Sequence, residues 1–230
     1  MGTITPISSL RFTSWHSSSI RARVTWKSEV TPWTNGNSSG TIFLINMVDE
    51  SGEITGVIFN ELCPKFYDQL HAGNVYLISN PEVSRVHNDF KILNNPLQIL
   101  FVEETIVQFI SKINIPKIIY NFVPLSAVSK LSDRDPVDAI AICTDVRSVE
   151  ERGGFYIREI IVMDSTYQKV MLNLWNKLAT SLEVDPGDVI VAKGAVARPH
   201  NNEIKLNADW FTNVQINPDI PEAIALRNLN

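Results

Sequence analysis

The chain has 230 residues, 44% of them hydrophobic and 20% charged, with a formal net charge of −5. Such a composition is that of a folded chain large enough for two ordinary domains, and it argues against intrinsic disorder. No stretch approaches the roughly 18 apolar residues of a membrane helix, no signal segment opens the chain, and the isolated Cys63 and Cys143 suit a reducing compartment rather than a disulfide frame or a zinc site.

From residue 20 the sequence alternates, with Ile20, Ala22, Val24 and Trp26 on one side and Arg21, Arg23, Thr25 and Lys27 on the other. Period two predicts a half-buried strand with a basic outer face. Residues 31–40 include Pro32, Asn35, Gly36, Asn37 and Gly40, and read as a loop that breaks regular structure. Residues 41–48 and 53–60 read as a hairpin around 49–52, where Asp49 and Glu50 serve turn geometry rather than metal binding. Leu62, Phe66 and Leu70 have helical spacing within 61–70, and 74–79 and 90–93 read as two more strands around a polar loop at 81–89.

The same order returns in the second half. Strands are predicted at 137–147 and 155–163 around Gly153 and Gly154, a third at 169–175 and a short helix at 176–182. Strands at 188–196 and 203–207 follow, separated by a loop at 197–202, and Pro218, Pro221 and the run 222–227 predict a closing helix. Trp175 stands 116 positions after Phe59, and Leu178 stands 116 after Leu62. A repeat that long is a duplicated domain, because solenoid periods are ~20–50 residues. We therefore expect an all-β protein of two tandem OB-fold barrels, each of five strands and a short helix, over 1–110 and 124–230, with 111–123 as linker. For either half taken alone, an SH3-like barrel is the alternative.

The face that an OB fold offers to oligonucleotides is formed by strands two and three and by the one-two and four-five loops. Met171, Asn173 and Trp175 share the face opposite the apolar Val170, Leu172 and Leu174, so a large aromatic is expected where water should be. Phe59 is its counterpart in the first half, Trp33 lies in the one-two loop, and Phe90 and His200 lie where the four-five loops return. Base stacking on exposed aromatics is worth about 1–3 kcal/mol per base and tolerates any sequence. Candidate phosphate contacts are Arg21, Arg23, Lys27, Arg85 and Lys91 in the first half and Arg147, Lys193, Arg198 and Lys205 in the second, fewer than half of them expected to touch a strand. Asn60, Asn88, Asn173, Asn201 and Asn202 are candidates for hydrogen bonds to base edges. Neither half is basic overall, which lowers the share of affinity expected from phosphate neutralisation. There is no GxxxxGK[ST], GxGxxG or GxSxG motif. Neither a metal site nor a cofactor is expected.

Seven stretches carry a resemblance: Pro6–Leu10, Ala22–Thr25 with Lys27 and Ser28, Val48–Ile54, Phe59–Glu61, Leu174 with Trp175, Lys193–Ala195 and Asn217–Ala223. In order and over nearly the whole chain they resemble the two central DNA-binding domains of the replication protein A large subunit. The resemblance implies a nuclear, non-enzymatic binder of single-stranded DNA in replication, repair and recombination. It also implies a longer parent protein, whose other regions hold partner subunits. Phe59 and Phe90 match the family's stacking pair in the first domain, and Trp175 matches the first of the pair in the second. His200 stands where the family has phenylalanine, while Trp33 and Asn60 are kept. Thr31, Asn37, Thr55 and Ser84 stand where the family usually offers Arg or Lys. This thinned set of cations raises an alternative, a specialised paralogue such as a telomerase-associated or meiotic subunit that binds telomeric G-rich strands. Outside the family, the competing class is a protein-interaction OB module.

Overall fold

A computed structural model describes residues 4–12, 19–86, 91–111, 114–201 and 203–228. The chain divides into two compact units, Met1–Ile119 and Tyr120–Asn230. In the first, a 3-10 turn at Ile7–Ser9 precedes β1 (Ser19–Lys27), β2 (Thr31–Asn35), β3 (Ser38–Val48) and β4 (Glu53–Phe59). Then come α1 (Leu62–Tyr67), β5 (Val75–Ser79), β6 (Glu82–Arg85), β7 (Leu97–Leu100) and β8 (Ile106–Ile110). β1 lies between β3 and β5, β3 pairs with β4, and β4 pairs in parallel with β7, which pairs with β6. β5 and β6 are two halves of one fourth strand, bent at Asn80 (φ 56°) and Pro81. The sheet thus curls until its ends meet through that bend.

The second unit repeats the plan with a 3-10 turn at Leu125–Lys130, β9 (Pro136–Val146), β10 (Glu150–Arg152), β11 (Phe155–Met163) and β12 (Lys169–Trp175). After α2 (Lys177–Ser181) come β13 (Val189–His200), β14 (Glu203–Ala208), β15 (Asn213–Ile216) and α3 (Pro221–Arg227). Here the fourth strand, β13, is unbroken. It pairs with β9, β14 and β15, and its ladder to β9 slips between Ala192 and Ala195, around Gly194 at φ 73°. Gly194 takes that positive φ without strain, and its N–H donates to Asp138 Oδ1 at 3.0 Å. Asp138 Oδ2 accepts from the buried Lys193 at 3.1 Å, so this cation pins the bend and is not exposed to any ligand. With the parallel β12–β14 pairing the five strands close into a barrel. The architecture is a tandem pair of OB folds.

Each barrel is filled by one face of its strands. Ile20, Ala22, Val24, Phe43, Ile45, Ile58 and Ile99 pack with Phe66 of α1 in the first unit. Val137, Ala139, Ile160, Leu172, Leu174 and Leu206 pack with Ala179 of α2 in the second. Cys63 and Cys143 are buried free thiols in separate units, and burial pushes the Cys143 thiol up to about 11.

Several local expectations are corrected. The stretch 31–40 is a hairpin arm: Asn35 pairs with Ser38 across the two-residue loop Gly36-Asn37, a length that folds twisted strands back on each other. Part of the predicted loop 81–89 is β6, held by β7, and Lys91–Leu93 are not in a strand. The loop predicted at 197–202 begins only after His200, because the β13–β14 ladder continues to the His200–Glu203 pair. Within the stretch expected as linker, described residues pack on the unit beside them. Ile115 is buried with Val48 and Val75 in the first unit, and Phe122 bridges to Asp138 in the second.

One carboxylate in each unit ties the hairpin of strands two and three to the segment before strand one. Asp49 Oδ2 accepts from the Ile7 N–H at 2.7 Å, while its Oδ1 accepts from Ser51 N–H, Ser51 Oγ–H and Gly52 N–H. Asp164 does the same for Leu125 N–H at 2.7 Å and for Thr166. Each capped residue, Ile7 or Leu125, follows a proline, Pro6 or Pro124, which sets the chain for the 3-10 turn. Asp49→Ala leaves the buried Ile7 N–H unpaired, so the expected loss is about 2–3 kcal/mol. A fall in urea midpoint at unchanged m measures it.

Candidate nucleic-acid interface

In the first unit Phe59 ends β4 at 37% exposure, and Trp33 of β2 meets it edge to face, with centroids 6.0 Å apart at 79°. Their approach requires a glycine: a Cβ at Gly40, which pairs with Trp33, would lie 1.9 Å from Asn60 Oδ1 and 3.0 Å from Trp33 Nε1. Asn60 follows Phe59 in the left-handed region at φ 51°. Its N–H donates to Thr41 O at 2.8 Å, and its Oδ1 accepts from Thr41 N–H at 3.2 Å. Asn176, at φ 50°, repeats this clasp with Tyr156 at 2.7 and 3.3 Å. Asparagine tolerates this backbone well. In both units the chain turns away immediately after the aromatic, which leaves Phe59 and Trp175 at a strand end. The Asn60 Oδ1 is thereby engaged with backbone.

In the second unit Trp175 lines an open cleft of about 350 Å³ with Arg152, Ile157, Glu159, Asn173, Arg198, His200, Lys205 and Asn207. Register explains the gathering. Ile157 pairs with Trp175, Glu159 with Asn173 and Arg198 with Lys205, so residues two apart on β11, β12 and β14 share the face turned from the core. Trp175 Nε1–H donates to Asn207 Oδ1 at 2.7 Å. Buried Glu159 receives Arg147 in a short hydrogen bond, Arg152 at 3.4 Å and Lys205 at 3.7 Å. Burial alone would push the Glu159 carboxyl up. The hydrogen bond from Arg147 and the charges of Lys205 and Arg152 outweigh it and hold the pKa below 4.5. Arg198 is 3.3 Å from Asp133, so neither member of the Arg198–Lys205 cross-strand pair stands without a counter-charge.

The first-unit cations do not gather in this way. Arg23 pairs with Val48 at one end of β3, whereas Phe59 pairs with Ile42, six residues or about 20 Å away along the strand. Its guanidinium donates to the carbonyls of Ile115, Pro116 and Gly73. Lys27 donates to Tyr67 O at 3.0 Å and Leu70 O at 2.9 Å, where it caps the end of α1 and lies 3.9 Å from the centre of the Tyr67 ring. Burial lowers its pKa, against the raising charge of Asp68. Both cations are engaged with backbone carbonyls. Arg85 has the parity of buried Val83 and lies 5.7 Å over the Phe12 ring. Lys91 is half-buried and His200 is exposed at the end of β13. Phe90, Asn88 and Asn202 lie outside the described residues.

A family model described as a domain of unknown function, DUF223, matches residues 20–130. The replication protein A 70 kDa DNA-binding subunit of Drosophila melanogaster is 35% identical over 217 residues, covering 90% of this chain and 36% of that protein. Replication factor A protein 1 of Saccharomyces cerevisiae is 29% identical over 214 residues, 90% of this chain and 34% of its own length. A replication protein A heterotrimer solved bound to single-stranded DNA superposes with a TM-score of 0.70 at 30% identity, covering 98% of this chain and 54% of that one. The chain is a homologue of the replication protein A large subunit. It spans about a third of the length of these curated replication protein A relatives. An Ifi202 HINa domain, at 13% identity and a TM-score of 0.54, shares the fold alone.

Within this replication protein A homologue, the residues that sequence reasoning missed are Arg152, Glu159, Asn207 and Phe155, the last 55% exposed and paired with Arg152 at the hairpin tip. Glu159 had a signal. It interrupts Ile157 and Ile161 at a spacing of two, and a carboxylate on a mostly apolar strand must be paired to stay charged. Because its folded pKa is depressed, its stabilisation is complete above the ordinary value of 4.5 and is lost as pH falls through the folded value. Glu159→Gln should therefore lower stability by about 1–3 kcal/mol at neutral pH. Thermal melts in acid, where the Glu159 carboxyl of the parent is protonated and as neutral as the glutamine amide, should converge for the two proteins.

Proposed function

We propose that this chain binds single-stranded DNA as the tandem OB-fold part of a replication protein A large subunit. The supporting observation is the second-unit cleft, where an aromatic at a strand end meets cations oriented by one buried carboxylate. Trp175 offers a π-face to any base, while Arg152, Lys205 and Arg198 offer charge to the backbone beside it. In the first unit Phe59 and Trp33 supply the aromatic part, with Phe90 a further stacking residue of this reading. His200 is assigned to the second-unit cleft, and Lys91 and Arg85 to the rim of the first barrel. The reading includes no catalysis, because the one buried carboxylate of the cleft is neutralised by three cations rather than poised to move a proton. It also includes a nuclear setting, a role in replication and repair, and partner subunits held through regions outside this chain. The telomeric alternative is not favoured, since the relatives described above are replication subunits.

Two measurements test it. In a fluorescence-anisotropy titration with a labelled single strand, Trp175→Ala and Phe59→Ala should each weaken binding by about 1–3 kcal/mol, with circular dichroism unchanged. Parental affinity in both variants would remove the proposed face. Since Arg23 and Lys27 are engaged with carbonyls, the slope of log K against log salt should correspond to only about two to four phosphates at −0.7 each. A much steeper slope would place the binding surface elsewhere.

A further inference from the structure

The indole N–H of Trp175 is a donor and nothing else. The Asn207 atom that meets it at 2.7 Å is therefore the oxygen, which settles the direction of that amide. The same oxygen lies 3.2 Å from the Asn173 side chain, so the Asn173 atom facing it must be the nitrogen. The constraint passes down three residues and ends at Asn173 Oδ1, which is turned away from Asn207. Asn173 is 7% exposed and lines the cleft beside Trp175. Its Oδ1 accepts no hydrogen bond from any described residue. A buried acceptor without a donor is costly, and in the floor of a binding cleft it calls for a donor carried by the ligand.

We propose that Asn173 Oδ1 reads the exocyclic amino group of a base stacked on Trp175, so that the second unit prefers amino-bearing bases, cytosine over uracil or thymine. The proposal rests on the single-strand reading above and adds the base edge to it. At ring position 4 cytosine presents an N–H donor where uracil and thymine present a carbonyl oxygen. Two oxygens facing each other in a buried site repel, whereas the amine completes the unmet bond. The oxygen is buried in the free cleft, so a base reaches it only as the side chains lining the cleft rearrange. Selectivity thus comes from the same indole that stacks: its N–H orients Asn207, Asn207 orients Asn173, and Asn173 faces the base edge.

The test compares oligodeoxycytidine with oligodeoxyuridine of equal length, titrated against the 230-residue chain in one neutral buffer. The unmodified chain should bind the cytidine oligomer about threefold to tenfold more tightly, the worth of one net hydrogen bond. Asn173→Leu should bring the ratio to one. Trp175→Phe should weaken both complexes and also bring the ratio to one, because an indole N–H no longer orients the amides. It decides the question if the leucine variant fails to fold. Equal affinities in the unmodified chain, or a cytidine preference that survives in either folded variant, overturn the proposal. Binding to neither oligomer would remove the single-strand reading and this proposal with it, whereas binding without preference removes the proposal alone.

Discussion

A five-stranded barrel closes only when its fourth strand reaches both the first and the fifth, and in each unit one residue at positive φ makes that reach possible. Asn80 at φ 56° splits the fourth strand of the first unit into β5, beside β1, and β6, beside β7. Gly194 at φ 73° lets β13 bend without breaking, so that a single strand serves both neighbours. Closure removes the open edges a sheet would otherwise expose, and it leaves one face of strands two, three and five without a partner. Every residue of the second-unit cleft lies on or beside that face. The buried Lys193–Asp138 pair belongs to this scaffold, since the carboxylate also holds the Gly194 N–H.

A chain with net charge −5 can still present a cationic face, because what matters locally is which charges are held together. Around Glu159 three cations converge, one of which, Arg152, is also held by Glu150 at 2.7 Å, so three cations face two carboxylates and a single positive charge is left over. The first unit uses its cations differently. Arg23 ties the 115–116 segment to β1, and Lys27 caps α1, so both donate to backbone carbonyls. The two halves have kept a common fold and a common aromatic position while their electrostatics have diverged.

Duplication is most exact where the backbone itself is under constraint. The Asn60 and Asn176 clasps reverse the chain after the aromatic, and the Asp49 and Asp164 caps bind the hairpin to the preceding 3-10 turn. Each depends on a short polar side chain reaching backbone a fixed number of bonds away, a geometry that longer residues do not reproduce. Groove side chains carry no such requirement, and there the copies differ: Trp33 packs on Phe59 in one, and Phe155 stands exposed at the hairpin tip in the other.

The sequence by itself determined the tandem OB architecture, the duplication at 116 positions and the matching strand-end places of Phe59 and Trp175. These are legible because strand alternation, helical spacing and turn residues are local, and a repeat doubles each signal. The same pattern missed β2, β8, β10 and β15 and put the fifth strand of the first unit at 90–93 rather than Leu97–Leu100. Tertiary structure alone decided what the charged and amide side chains do. Arg23 and Lys27 look like an outer basic stripe in the alternating pattern, yet backbone carbonyls distant in sequence claim them. Glu159, Arg152, Lys205 and Asn207 come together only through the β11–β12–β14 register, including a parallel pairing of strands more than 30 residues apart. Asn60 and Asn173 read alike in sequence. One is spent on the backbone of its own hairpin, while the other is oriented through Asn207 by an indole N–H two residues away. Hydrogen-bond partners are chosen by distance in space, and a one-dimensional pattern carries no record of them.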